Sequence, residues 1–256
     1  MHPILLNIFG LKLYSYGFLI AAGFLLALWF MTYEAKRLNE NPEKYIDLSF
    51  YILIAGIIGS RIVHVLFDDP AYYSKNPWDV IKIWQGGLTF YGGLITAIPL
   101  GIYLLKKYNL PLWKSTDILG AAIPIGMAFG RLGCFSAGCC YGKETTLPIG
   151  ITFINPESLA RLGIPLHPTQ LYESFGDILI FGILFFLRKK KSFNGQIFWT
   201  FTLLYSILRF FVEFYRGDQR GYFFNNLLST SQAIGIPLAL LSVFTLYSLK
   251  KKATLS

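Results

Sequence analysis

The chain has 256 residues, of which 54% are hydrophobic and only 14% charged, and its mean hydropathy is +0.49. A water-soluble domain carries about 25% charged residues, so the composition excludes an ordinary soluble protein and points to an integral membrane protein. The net charge of +9 does not indicate a nucleic-acid partner. The basic residues sit in short clusters at the ends of apolar runs, not in a stripe interleaved with aromatics.

Apolar runs of about 20 residues, the length that crosses a ~30 Å hydrocarbon core, recur along the chain. Seven spans are predicted, over 14–33, 48–67, 88–105, 116–136, 168–187, 195–215 and 229–249. The fold class expected is therefore all-α and polytopic, a single integral membrane domain over 1–256 with no internal repeat. The first run follows a single lysine, Lys12, and no small-residue cleavage site comes after it, so it is expected to be a retained span and not a signal peptide.

Between the spans the lysines and arginines alternate in density. Lys36, Arg37 and Lys44, then Lys106, Lys107 and Lys114, then Arg188 to Lys191, then Lys250 to Lys252 all fall on one side of a seven-span protein. The other side holds the sparser set Lys12, Lys75, Lys82, Lys143, Arg161, Arg216 and Arg220. This bias predicts an external N-terminus and a cytoplasmic C-terminus. The outer side then carries the longer connections, about 68–87 and 137–167, which form an outer-facing head. Long loops are where function tends to sit.

Three arginines lie inside the spans: Arg61 in GSRIVHVLF, Arg131 in GRLGCF and Arg209 in LRFFVEFYRG. Each costs about 2.5–3.5 kcal/mol at mid-bilayer on insertion scales. All three fall toward the outer ends of their spans. Glu213 follows Arg209 by four residues, which puts the two on one helix face as a possible pair. A set of guanidiniums at one depth suits bidentate recognition of phosphate, and a phospholipid headgroup is the anion available there. Glycines in GGLTFYGG (86–93) and GRLG (130–133) allow close backbone approach, either for lining a polar cavity or for plain helix packing.

HPTQLYES (167–174) is a second polar cluster. Pro168 suits a helix start. His167 is expected either to act as a base or as a hydrogen-bond donor to phosphate, or to cap and anchor the helix. His64 reads as a supporting group near Arg61. All three cysteines lie in GRLGCFSAGCCYG (130–142). They allow a thiol–disulfide oxidoreductase through Cys134 with Cys139 or Cys140, although the spacing is not C-x-x-C. They also allow, with His167, a tetrahedral zinc set by composition, but nothing in the spacing brings His167 to them. No cofactor and no metal is expected from the residues.

YSYGFLIAAG (14–23), GSRIVHVLF (59–67), GGLTFYGGLI (86–95), GRLGCFSAGCCYG, HPTQLYE and LYSILRFFVEFYRGDQ (204–219) occur in the order and spacing of one family. On these six motifs the chain resembles the prolipoprotein diacylglyceryl transferases over nearly its whole length. The resemblance implies a bacterial inner-membrane transferase that moves the diacylglyceryl group of phosphatidylglycerol onto a lipobox cysteine thiol. The acceptor is a prolipoprotein signal peptide, and the by-product is glycerol-1-phosphate. Position by position, it implies that Arg131 and Arg61 bind the phosphatidylglycerol headgroup with Gly142 and Tyr205. It further implies that Tyr16, Arg209 and Glu213 belong to the polar catalytic set, with His167.

Four positions depart from the family pattern. Tyr91 stands where GGxxFHGG carries histidine, Cys134 and Ala137 replace asparagines, and Cys139 replaces a glutamate. Alkylation needs a thiolate, and a free thiol has a pKa of about 8.5. His167 is a better proton acceptor than Tyr91 by intrinsic pKa. The same departures leave open a phospholipid-binding relative that has lost the chemistry.

Overall fold

A computed structural model of the chain describes residues 2–8, 11–217, 222–223 and 228–255. Asp218, Gln219 and Arg220, the end of the sixth motif and one of the basic residues used for orientation, lie outside the described residues. The elements in order are β1 (Ile4–Ile8), β2 (Leu11–Tyr14), α1 (Ser15–Arg37), α2 (Pro42–Val63), α3 (Pro70–Lys75), α4 (Phe90–Lys107) and α5 (Leu112–Ala137), followed by β3 (Ile151–Thr152), β4 (Pro165–Leu166), α6 (Thr169–Leu187), α7 (Gln196–Glu213), β5 (Tyr222–Phe223), β6 (Leu228–Ser229) and α8 (Thr230–Leu255).

Among the described residues, α1, α2, α4, α5, α6, α7 and α8 fall on the seven apolar runs. Five of them, α1, α2 with its π-helical extension to Asp68, α5, α6 and α8, are long and apolar enough to cross a membrane. α4 and α7 are each 18 residues long, about 27 Å at 1.5 Å per residue. Polar content lowers the hydropathy of each: Lys106 and Lys107 end α4, and Gln196, Arg209 and Glu213 lie on α7. Large apolar side chains point outward along these helices, including Trp29, Phe175, Phe186 and Phe244. Only an apolar solvent accommodates such a surface.

Helix ends follow local chemistry. Asn39 and Asn109 adopt left-handed backbone (φ 56 and 53). At each, the next residue bonds back five positions, Glu40 N–H to Ala35 O at 2.9 Å and Leu110 N–H to Leu105 O at 2.9 Å. These are Schellman caps. Pro42 and Pro111 follow and start the next helices, and the Asn41 side chain accepts the Glu43 N–H at 2.9 Å as an N-cap.

The chain divides into two compact units, Thr32–Ser115 and Met1–Met31 with Thr116–Ser256. In the first, α2 and α4 pack through small residues. A Cβ on Gly92 would fall 2.7 Å from Val63 Cβ, and one on Gly93 would fall 2.7 Å from Ser60 Oγ. Thr96 Oγ1 donates to Ala55 O at 2.8 Å across the pair. The 68–87 connection is folded into α3 and two 3₁₀ turns.

In the second unit α6 packs on α7 and α7 on α8. Asp117 of α5 caps α7 from far along the chain: its carboxylate accepts N–H groups of Gly195, Ile197 and Phe198 at 2.9, 2.9 and 3.1 Å, and Lys191 Nζ at 2.9 Å. The connection after α5 is a small head. β3 pairs with β4, and Phe153, Ala160 and Leu166 form its core with Phe135, Tyr141 and Ile151 packed against them.

Candidate functional site

Glu173 organises the polar interior of the second unit. It lies one turn inside α6 and is fully buried. Its Oε1 accepts from Arg209 Nη1 at 2.6 Å and from Arg216 Nη1 at 2.9 Å. Its Oε2 is 2.5 Å from Arg131 Nε. Three helices and the segment after α7 thus meet on one carboxylate. Arg209 also reaches Glu213 at 2.6 Å, the i,i+4 pair expected from the sequence, and Ser231 Oγ on α8 at 3.1 Å.

Burial sorts the three arginines. The side chains of Arg209 and Arg216 are 9% and 2% exposed, whereas that of Arg131 is 20% exposed. Among the described residues the Nη groups of Arg131 make no hydrogen bond. Glu173 therefore holds Arg131 by its Nε edge and leaves the two-pronged Nη face for an anion, the geometry in which guanidinium recognises phosphate. Tyr205 of α7 lies within electrostatic reach of Arg131, Arg209 and Glu173. The ring of Tyr16, at the start of α1, lies close against Gly133, two residues from Arg131. Asp177, one turn beyond Glu173, is fully buried, and neither of its oxygens accepts a hydrogen bond among the described residues.

His167 sits beside this cluster in a cage of two tyrosine rings, 5.2 Å from Tyr215 and 6.1 Å from Tyr172 between centroids. Its Nδ1 is 3.0 Å from Tyr172 Oη. Nε2 has no partner among the described residues. If Nδ1 donates to the tyrosine, Nε2 is a base; in the other tautomer it is a donor to an anion.

Gly142 fixes where His167 stands. Its N–H donates to His167 O at 2.8 Å, and a Cβ there would fall 2.5 Å from His167 Cβ and 2.6 Å from Tyr215 O. The backbones after α5, before α6 and after α7 converge on this residue, so Gly142 acts as a joint between three segments.

The cysteine loop is tied to the same helix start. Thr169 Oγ1 donates to Cys140 O at 2.8 Å and Gln170 Nε2 to Cys139 O at 2.7 Å. No disulfide joins Cys134, Cys139 and Cys140, and all three are half-buried. Hydrogen bonds from Cys134 and Cys139, together with the charge of Arg216, hold the Cys140 thiol below its ordinary pKa.

Arg61 and Tyr91 belong to the other unit. Every N–H direction of Arg61 meets a backbone carbonyl: Nε reaches Val80 at 2.9 Å, Nη1 reaches Gly86 and Gly87 at 2.6 and 3.0 Å, and Nη2 reaches Asp79 and Lys82 at 2.5 and 3.4 Å. Gly86 and Gly87 have φ of 89 and 72, and a Cβ on Gly87 would fall 2.6 Å from Arg61 Nη1. The guanidinium thus clamps residues 79–87. His64 supports this end of α2 through Asp68, 3.1 Å from its Nδ1, and Asp68 also accepts from Thr89. Tyr91 is half-exposed near the start of α4, with its ring edge-to-face on Phe90.

A family model described as prolipoprotein diacylglyceryl transferase matches residues 3–248. The chain belongs to this family. It is 36% identical over 245 residues to a Clostridium tetani protein named phosphatidylglycerol–prolipoprotein diacylglyceryl transferase, covering 95% of this chain and 96% of that one. A Finegoldia magna protein of the same name is 38% identical over 253 residues, covering 98% and 97%. One from Wolbachia of Culex pipiens is 32% identical over 249 residues. Membership and the apolar helices together make this an integral membrane protein.

Sequence reasoning passed over two members of the cluster. Glu173 was legible only as a residue on the helix after His167, and Arg216 only as a charge between spans. The signal for Glu173 was its position at the outer end of an apolar run that carries no basic residue of its own, since a carboxylate there needs cations from other helices.

Proposed function

We propose that this chain transfers the diacylglyceryl group of phosphatidylglycerol to the thiol of a lipobox cysteine in a prolipoprotein signal peptide, releasing glycerol-1-phosphate. The observation that carries this reading is the Nη face of Arg131, held open by Glu173 within a cluster of three guanidiniums and two carboxylates. It receives the phosphodiester and stabilises the charge that grows on it as the glyceryl carbon–oxygen bond breaks. Arg209 and Glu213 orient the cluster, Tyr205 and Tyr16 border it, and His167 offers Nε2 to the departing phosphate or to the thiol proton. Arg61 serves by clamping residues 79–87, and Gly142 by placing His167. An apolar groove of about 270 Å³, lined by Leu26, Trp29, Phe129 and Phe181 among others, starts a helical turn from Arg131 and suits an acyl chain.

The remaining expectations form part of the same reading. The chain acts as one membrane domain of seven spans in a bacterial cytoplasmic membrane, with the N-terminus and the head outside. The basic residues of the α1–α2, α4–α5 and α6–α7 connections support that orientation. Labelled phosphatidylglycerol and a lipobox peptide, with purified protein in detergent, provide the test. Arg131→Ala is expected to lower transfer by at least about 100-fold, the size of losing one strong transition-state donor. Transfer within threefold of the parent chain would remove Arg131 as the phosphate ligand.

A further inference from the structure

The three thiols are brought together by the way α5 ends. Gly138, with φ 79, closes the helix in a Schellman cap: its N–H reaches Phe135 O at 3.2 Å, and the Cys139 N–H reaches Cys134 O at 3.1 Å. This six-to-one bond folds Cys139 back over Cys134. Cys140 then takes left-handed backbone, φ 63, a conformation that L residues with a Cβ adopt at a cost of about 1–2 kcal/mol. That cost is offset by the Thr169 and Gln170 side chains holding the carbonyls of Cys140 and Cys139. As a result the three Sγ atoms all lie within 4.8 Å of one another.

A disulfide uses two sulfurs and leaves the third without purpose; three sulfurs around one point are what a thiophilic cation takes. Tetrahedral zinc with Zn–S bonds of about 2.3 Å sets its ligands about 3.8 Å apart, which small χ1 rotations reach from here. No histidine or carboxylate atom joins the cluster among the described residues. His167, the fourth ligand that composition allowed, is turned to Tyr172 instead. A site with three protein ligands and an open fourth position is the catalytic pattern for zinc, not the structural one.

We propose that Cys134, Cys139 and Cys140 bind one Zn(II) ion whose open position takes the thiol of the acceptor cysteine. This rests on the transferase reading above and supplies what that reaction lacks here, since Tyr91 stands where the family pattern has histidine. A thiol that coordinates zinc is deprotonated outright, its proton passing to water. Arg131 lies one helical turn before Cys134, so the phosphate it holds and the coordinated sulfur face one another. The sulfur forms a bond to the glyceryl carbon that carries the phosphate as that carbon–oxygen bond breaks. The electron pair leaves on the oxygen of glycerol-1-phosphate, and nothing is oxidised or reduced.

The full-length protein in detergent, stripped with a chelator and reloaded with Zn(II) or Co(II), tests this. About one zinc per chain is expected. Cys139→Ser keeps the backbone cap, and its hydroxyl takes over the donation of Cys139 Sγ to Cys134 O at 3.7 Å, so it should melt like the metal-free parent chain yet bind zinc more than about 100-fold more weakly. The thiolate-to-cobalt charge-transfer band should gain intensity when a lipobox peptide is added, and not with its Cys→Ser analogue. Substoichiometric zinc, unchanged affinity in Cys139→Ser, or a band insensitive to the peptide thiol would overturn the site. Equal transfer by zinc-free and zinc-loaded protein would overturn its catalytic role while leaving the transferase reading intact. Zinc and peptide-thiol binding without transfer from phosphatidylglycerol in either form would support the site and overturn the transferase reading instead.

Discussion

Replacing Glu173 with glutamine removes the charge that Arg131, Arg209 and Arg216 share. Removing one partner of a buried ion pair costs about 3–5 kcal/mol, because a charge is left without compensation. Two features place this case at the low end. Arg209 keeps Glu213 at 2.6 Å, and the glutamine carbonyl oxygen has two lone pairs for the two N–H groups that Oε1 accepted. About 3 kcal/mol then corresponds to a fall of about 6–12 °C in melting temperature for a chain of this size. Differential scanning fluorimetry in detergent reads it directly. The sign of an added anion is a second readout: inorganic phosphate should raise the melting temperature of Glu173→Gln more than that of the parent chain, since the variant carries one more uncompensated positive charge. A variant melting within 2 °C of the parent, with no added response to phosphate, would refute the claim that this carboxylate organises the cluster.

Other expectations are sharper for being local. Gly142→Ala puts a methyl 2.5 Å from His167 Cβ and should cost about 1–3 kcal/mol by overpacking while cutting transfer activity. Gly182→Ala, with open space around its Cβ position, should leave activity intact and melt no lower, because alanine is favoured over glycine in a helix by about 1 kcal/mol. Asp117→Asn loses the charge facing Lys191 and weakens the cap on α7, and should destabilise by about 1–2 kcal/mol in the same melting assay. Arg61→Lys replaces five N–H donors by a point charge that cannot reach carbonyls from Asp79 to Gly87 together. Residues 79–87 should then become sensitive to limited proteolysis.

Much of the site was readable because membrane sequences say plainly where charge is out of place. Arg131 and Arg209 stood out as cations in apolar runs, and the spacing of Glu213 from Arg209 named that pair correctly. Glu173 and Arg216 did not stand out, because their meaning lies in each other. A carboxylate at the start of one helix and an arginine beyond the end of the next have no sequence spacing that links them. Arg61 shows the reverse. As a cation inside a span it read as an anion ligand, yet its donors are filled by carbonyls of a loop whose path no periodicity reveals. The cysteines were half legible. Gly138 after an apolar run is a recognisable helix-ending signal, and a Schellman cap at that glycine is enough to bring Cys139 over Cys134. The approach of Cys140 to both depends instead on Thr169 and Gln170, which belong to another helix.

Sequence alone located the seven long helices found among the described residues and the membrane as solvent, with their ends placed to within about six residues, as for α2, which begins at Pro42 where 48 was expected. Each follows from local or one-dimensional quantities: the run of apolar side chains against bilayer thickness, asparagine, glycine and proline at the caps, and lysine and arginine between spans. Tertiary structure decided which charges share a counter-ion and which face of a guanidinium stays open. It also decided whether three thiols converge. Those depend on distances between residues tens of positions apart, and backbone packing at places such as Gly142 and Gly93 sets them only once the helices have met.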